Sequence, residues 1–154
     1  LIKEKEKHSG KFIIKVKNKD GTIQEFTEFN RIMDSILNSL VNVFDGITPD
    51  LQIKYLAIGT GTTAITDTDT QLDTEIFRTQ FLTSNLTGTG EFTTTYTILD
   101  SEAVATWEEI GIFAGSGATA AANSGTLVSR ILFNFTKTSL QEVDVTRVDT
   151  ISRA

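Results

Sequence analysis

Apolar and polar residues alternate along most of this chain, and a period of two marks a strand with one buried face. Phe12, Ile14 and Val16 share one side of the first such run, with Lys11, Lys15 and Lys17 on the other. Asn18-Lys19-Asp20-Gly21 then supplies a turn, and residues 22–27 return, which predicts a β-hairpin. The period changes once. Phe29, Ile32, Met33, Ile36, Leu37, Leu40, Val41 and Phe44 recur at helical spacing, which predicts an amphipathic helix over 29–45. Thr27 or Asn30 is placed to cap its start, and Gly46 to end it. Its polar side lacks the cations of a lipid-binding helix.

Alternation resumes at 53–58, 75–81, 92–99, 107–113, 127–135 and 143–151. Residues 85–90 read as a turn and 115–125 as a small-residue loop at the surface. The last run places Val143, Val145, Arg147 and Asp149 on one face and Asp144, Thr146, Val148 and Thr150 on the other. Neither face is purely apolar, so an edge strand, or one covered by another subunit, is expected in preference to a central strand. Seven or eight strands and one helix in the N-terminal half predict a mainly β fold. It is expected to be one antiparallel β-sandwich or partly open barrel spanning 1–154.

Composition agrees. Threonine supplies 25 of 154 residues against a single proline, and it suits half-exposed strands. With no cysteine there are no disulfides, thiolate metal sites or cysteine nucleophiles. The single histidine, His8, cannot build a multi-histidine metal site. No apolar run reaches membrane-spanning length, and residues 1–7 lack the apolar core of a secretory signal.

Charge is uneven. Residues 1–19 carry seven lysines and two glutamates, and the rest of the chain is acidic enough to bring the net to −6. An acidic body opposes phosphate binding, so no nucleic-acid partner is expected. Residues 1–10 read as a basic extended arm, in which Lys3, Lys5, Lys7 and also Lys11 are candidates for contact with a neighbouring subunit.

Several stretches invite chemistry. Gly59-Thr60-Gly61-Thr62-Thr63 lacks the lysine and the following helix of a phosphate loop. Asp67, Asp69 and Asp73 offer oxygen ligands without the spacing of a calcium loop, which makes them a weak metal candidate. Glu108 and Glu109 are adjacent and face opposite ways on a strand, so they cannot act as a glycosidase pair. A buried Glu109 demands a cation, and Arg78 and Arg130 are candidates. Trp107, Tyr55 and Tyr96 are the alternative glycan contacts of a carbohydrate-binding module that recognises a host surface. No catalytic residue and no cofactor is expected.

Four motifs occur in order: residues 55–63, Leu72 with Glu75 and Arg78, residues 109–113, and residues 124–130. The series resembles a widespread group of small structural proteins encoded among the tail and fibre genes of tailed bacteriophages. Ile65 stands where that group usually has a proline. The resemblance implies a non-enzymatic virion component of a tail, fibre, baseplate or collar, made in the host cytoplasm. It would act as a homo-oligomer with other virion proteins, with no membrane partner. The motif positions read as bends at Gly59, Gly61, Gly111 and Gly125. A buried charge network of Glu75, Arg78, Glu109 and Arg130 accompanies them.

Overall fold

The computed structural model describes residues 6–47 and 50–153. Ten strands and one helix follow in the order β1 (Glu6–Asn18), β2 (Ile23–Phe29), β3 (Arg31–Ile32), α1 (Asp34–Phe44), β4 (Ile53–Gly59), β5 (Glu75–Gln80), β6 (Thr83–Gly88), β7 (Glu91–Ile98), β8 (Thr106–Ala114), β9 (Thr126–Thr136) and β10 (Gln141–Arg153). They form two antiparallel five-stranded sheets, ordered β2-β1-β10-β7-β6 and β3-β9-β8-β4-β5. The sheets are not closed into a barrel, and the fold is an antiparallel β-sandwich.

The core lies between the sheets. The first contributes Phe12, Ile14, Val16, Tyr96, Ile98, Val143 and Val145; the second contributes Leu56, Ile58, Trp107, Ile110, Ile112, Val128 and Phe133. Phe26 meets Phe133 edge-on across the gap at 5.4 Å. β4, β8 and β9 are also buried on their outer side, where Met33, Ala57, Leu72, Phe113, Ala118 and Leu127 form a second apolar cluster. Loops 60–74 and 115–125 cover that side, so the second sheet has a cover on both faces.

Four elements differ from the sequence expectation. The helix begins at Asp34, because β2 runs to Phe29 and Arg31–Ile32 pairs with β9. Its N-cap is Met33, with no side-chain cap, instead of Thr27 or Asn30; Gly46, at φ +75°, follows its end as expected. Residues 85–88 belong to strand β6, and the turn falls at Gly90, with φ +67°. From Glu6 onward the expected arm is strand, in register with β10 from Glu6↔Arg153 to Asn18↔Gln141. Lys3 and Lys5 lie outside the described residues, as does the side chain of Lys7. Lys17 pairs with Glu142 at 3.2 Å and with Asp144 at 2.5 Å in the same chain.

The fourth difference concerns β10, which lies in the middle of its sheet, between β1 and β7. Its mixed face is buried because Arg147 and Asp149 neutralise each other. The guanidinium donates to both carboxylate oxygens, at 3.0 and 2.6 Å. Among the described residues no helix is long and apolar enough to cross a membrane.

Candidate functional site

Three charge clusters lie inside the molecule, and each holds a different part of it. In the first, β8 turns Glu109 to the outer side of its sheet while its neighbour Glu108 stays at the surface, bonded by Asn134 at 2.8 Å. The Glu109 side chain is fully buried. Its Oε1 accepts the backbone N–H of Gly61 (3.1 Å) and Thr74 (2.8 Å). Its Oε2 accepts the N–H of Asp73 (3.0 Å) and Nε of Arg130 (2.7 Å). Arg130 also donates to Asp69 and to the carbonyl of Thr63, each at 3.0 Å. One carboxylate and one guanidinium thus fasten both ends of the 60–74 loop onto the sheet.

This clamp explains two of the glycines. Gly59 and Gly61 do not adopt the left-handed backbone that a bend role would need. At either position a Cβ would run into the Glu109 carboxylate. Gly111 is likewise a packing glycine, because a Cβ there would sit 2.7 Å from a methyl of Leu72. Only Gly125, at φ +89°, is the bend expected of it.

In the second cluster, Arg78 forks onto Glu75 with bonds of 2.6 and 2.9 Å. Its remaining nitrogen donates to the carbonyls of Thr119 and Ser124 and to the Ser124 hydroxyl. Glu75 in turn accepts the N–H of Asn123 at 2.8 Å. The guanidinium lies over Phe113, 4.6 Å from the ring centre, and over Tyr55 at 5.3 Å. Loop 115–125 is therefore tied down, with Ala118 buried beneath it. The expected network of Glu75, Arg78, Glu109 and Arg130 is two separate clamps, one for each loop.

The third cluster lies between the sheets and was not picked out from the sequence. Arg147 stacks on Phe12 at 4.8 Å and donates to Ser129 Oγ at 2.6 Å besides holding Asp149. His8 Nε2 donates to Asp149 Oδ1 at 2.9 Å. Burial works against ionisation of Asp149, yet the Arg147 charge and the bonds from His8 and Arg147 outweigh it and hold the carboxyl below its usual range. Although a serine, a histidine and an aspartate gather here, they form no Ser-His-Asp relay: Ser129 Oγ accepts from Arg147, and the second nitrogen of His8, Nδ1, has no hydrogen-bond partner among the described residues, so no base meets the hydroxyl. The inward series Val143, Val145, Arg147, Asp149 was the signal available in the sequence.

Lys137 is a further internal charge, outside these clusters and 1% exposed, donating to the carbonyls of Leu99 and Asp100 at 2.9 Å each. Burial lowers its pKa, and its role is to hold the turn before β8. Lys11, the one candidate of the basic arm whose side chain is described, sits in β1 between Val148 and Phe29.

The remaining sequence candidates disperse. Asp67 pairs with Arg31 at 3.0 Å, Asp69 with Arg130, and Asp73 accepts the Thr63 hydroxyl at 2.7 Å. No group of three ligating side chains exists among the described residues, so the aspartates are loop fasteners in place of a metal site. Trp107 and Tyr96 are fully buried, with Trp107 Nε1 bonded to the Ala103 carbonyl at 2.8 Å. Tyr55 lies under Arg78 on the opposite side of the second sheet. These three rings share no surface, so they cannot present a sugar-stacking platform.

What the surface does offer is apolar. Leu37, Val41, Phe44 and Ile47 are exposed along and just beyond α1, and Leu82 and Leu86 at β6. A cavity of about 260 Å³ opens beside the helix, lined by Ile36, Leu40, Leu51, Phe92 and Ile151, with His8 and Asp149 at its polar end. No family model, curated protein or solved structure matches this chain.

Proposed function

We propose that this chain is a non-enzymatic structural subunit of a tailed-bacteriophage virion. In this reading it assembles with copies of itself and with other virion proteins in a tail, fibre, baseplate or collar substructure, after synthesis in the host cytoplasm. The observation that carries the assembly reading is the open edge of the first sheet. β6 (Thr-Ser-Asn-Leu-Thr-Gly) has a partner on one side only, contains neither charge nor proline, and leaves Leu86 88% exposed. Monomeric β-proteins blunt such edges with lysine, proline or bulges, because a bare edge recruits another strand. An edge with neither lysine nor proline, whose one register shift comes only at its end between Leu86 and Gly88, suits a chain whose neighbour completes the sheet.

The virion setting is supported by the motif series. Its residues fall on the two loop clamps and on the glycines that make room for them, so the resemblance follows one coherent device. The ionised groups it contains are engaged in fastening loops, which suits a rigid building block.

Light scattering and electron microscopy of the purified chain test the reading, together with labelling of particles of the phage that encodes it. Assemblies that grow with concentration, that shrink in Leu86→Lys, and a labelled virion substructure are the expected results. A chain that stays monomeric at high concentration and binds no virion protein overturns it.

A further inference from the structure

The helix carries more apolar surface than its own chain covers. At 100° per residue its apolar side chains follow one another as Val43, Ile36, Leu40, Phe44, Leu37 and Val41, over an arc of roughly 160°. The core takes the first half: Ile36 is buried, and Val43 and Leu40 are partly so. The second half faces solvent, with Phe44 86%, Val41 64% and Leu37 43% exposed, and Ile47 adds a further 66% just past the helix. The rest of the circumference holds Asp34, Asp45, Asn38 and Asn42.

We propose that this strip is a two-fold interface, on which α1 of a second copy packs antiparallel. The inference rests on the assembly reading and names one surface it would use. Three observations favour this occupant. The helix and its cap carry two acids and no base, so an anionic lipid surface has nothing to hold. The strip is also self-complementary. With the axis between Leu40 and Val41, Leu37 of one copy faces Phe44 of the other, and Leu40 faces Val41. In that register Asp34 falls opposite Ile47 and Asp45 opposite Ile36, whereas a parallel pair would set each acid against its own copy.

The third observation is room. Phe44 of the second copy arrives at Leu37, and the cavity of about 260 Å³ opens on the adjoining Ile36 and Leu40 side of the helix. Scaling areas on the order of 150–200 Å² per large apolar residue by the exposed fraction of each of the four, a pair buries roughly 900 Å² before the flanks are counted, close to the ~1,000 Å² that a specific interface needs.

The absence of cysteine makes a clean test possible. Leu37→Cys and Phe44→Cys are made separately in the full chain and oxidised alone and as a mixture. Antiparallel packing brings position 37 of one copy beside position 44 of the other. Like positions lie about 10.5 Å apart along the axis, seven residues at 1.5 Å each, beyond disulfide reach. The mixture is expected to give a disulfide-linked heterodimer and each variant alone little product. Val41→Glu is expected to weaken self-association at least tenfold in sedimentation while leaving the circular dichroism spectrum unchanged.

Self-linking of Leu37→Cys alone overturns the antiparallel register. An oligomer that Val41→Glu leaves intact, with no linkage in the mixture, overturns the interface while the assembly reading stands. A strict monomer overturns the interface, and one that also binds no virion protein overturns the assembly reading as well. A monomer that floats with phosphatidylcholine vesicles overturns the proposal in favour of a membrane.

Discussion

Replacing Glu109 by glutamine keeps the size of the side chain and removes only its charge and half of its acceptor capacity. All four atoms around the carboxylate are donors: the N–H groups of Gly61, Thr74 and Asp73, and Nε of Arg130. Whichever way the amide turns, its NH₂ meets two donors and both bonds on that side are lost. Arg130, 2% exposed, then keeps only Asp69 as a counter-charge. Breaking a buried pair in this way costs about 3–5 kcal/mol. Unfolding entropy of about 2.1 cal/mol/K per residue gives roughly 0.32 kcal/mol/K for a chain of this length. A loss of about 4 kcal/mol therefore corresponds to a fall in Tm of about 12 °C.

Thermal unfolding followed by circular dichroism measures the fall, with Glu108→Gln as the control. That residue carries the same change one position away, at the surface, and is expected to stay within about 0.5 kcal/mol of the parent. Hydrogen exchange supplies the local readout. Amides of Gly61, Asp73 and Thr74 should lose protection in Glu109→Gln, while those of β1 and β10 hold theirs relative to the global unfolding limit. A Tm drop below about 3 °C, equivalent to about 1 kcal/mol, would refute the clamp. Unchanged protection of the three amides would refute it independently.

Three further outcomes are expected. Gly61→Ala puts a Cβ 2.6 Å from both a Glu109 oxygen and an Asp73 oxygen and should cost about 1–3 kcal/mol in urea unfolding; a neutral result would mean that the carboxylate is free to move. Asp149 and Asp69 both ionise more readily folded than unfolded: burial opposes this, and Arg147 with His8, or Thr66 with Arg130, overcomes it. Their stabilisation is present above the unfolded carboxyl value of about 3.9 and is lost as pH falls through the lower folded values. Melting temperature should therefore decline below about pH 4, less steeply in Asp149→Asn, and an identical acid slope in that variant would contradict the assignment. Thr94 Oγ1 is buried against the Tyr96 hydroxyl without a well-formed hydrogen bond, so Thr94→Val, measured by the same unfolding curves, should hold stability or raise it by up to about 1 kcal/mol. A loss beyond that would show that the hydroxyl is bonded.

How far the sequence could be read depended on whether a residue's partner was local. Phe12, Ile14 and Val16 announce a half-buried strand by themselves, and Gly21 needs only its own backbone, at φ +88°, to make the hairpin turn. Glu109 was legible for a related reason. Its neighbour Glu108 shares its chemistry, and adjacent residues of a strand face opposite ways, so one of the two meets a covered face, where a cation must pair with it. Which arginine meets it was not legible, because Arg130 lies on the adjacent strand while Arg78, on β5, is engaged with the other loop. Three of the four motif glycines were explained wrongly: Gly59 and Gly61 are required by a side chain about 50 residues away in sequence and Gly111 by Leu72, and only three-dimensional packing reveals that.

The same reasoning accounts for the misplacement of β10. Judged by polarity, a face made of Val143, Val145, Arg147 and Asp149 belongs at an edge, since two charges cannot be buried alone. Here they are not alone. Arg147 and Asp149 are two residues apart on one strand, so they share a face and reach each other without help from any other element, and Ser129 and His8 complete the set. An i, i+2 pair of opposite charges on an otherwise apolar strand face is therefore a signal for a central strand with an internal ion pair. The helix shows the converse. Its residues read as one apolar stripe because periodicity reports which residues share a side, and periodicity is blind to how much of that side the chain covers. Half of the stripe is left over, and the leftover half carries no charge. Surplus apolar surface of this kind is what an assembling subunit is expected to keep.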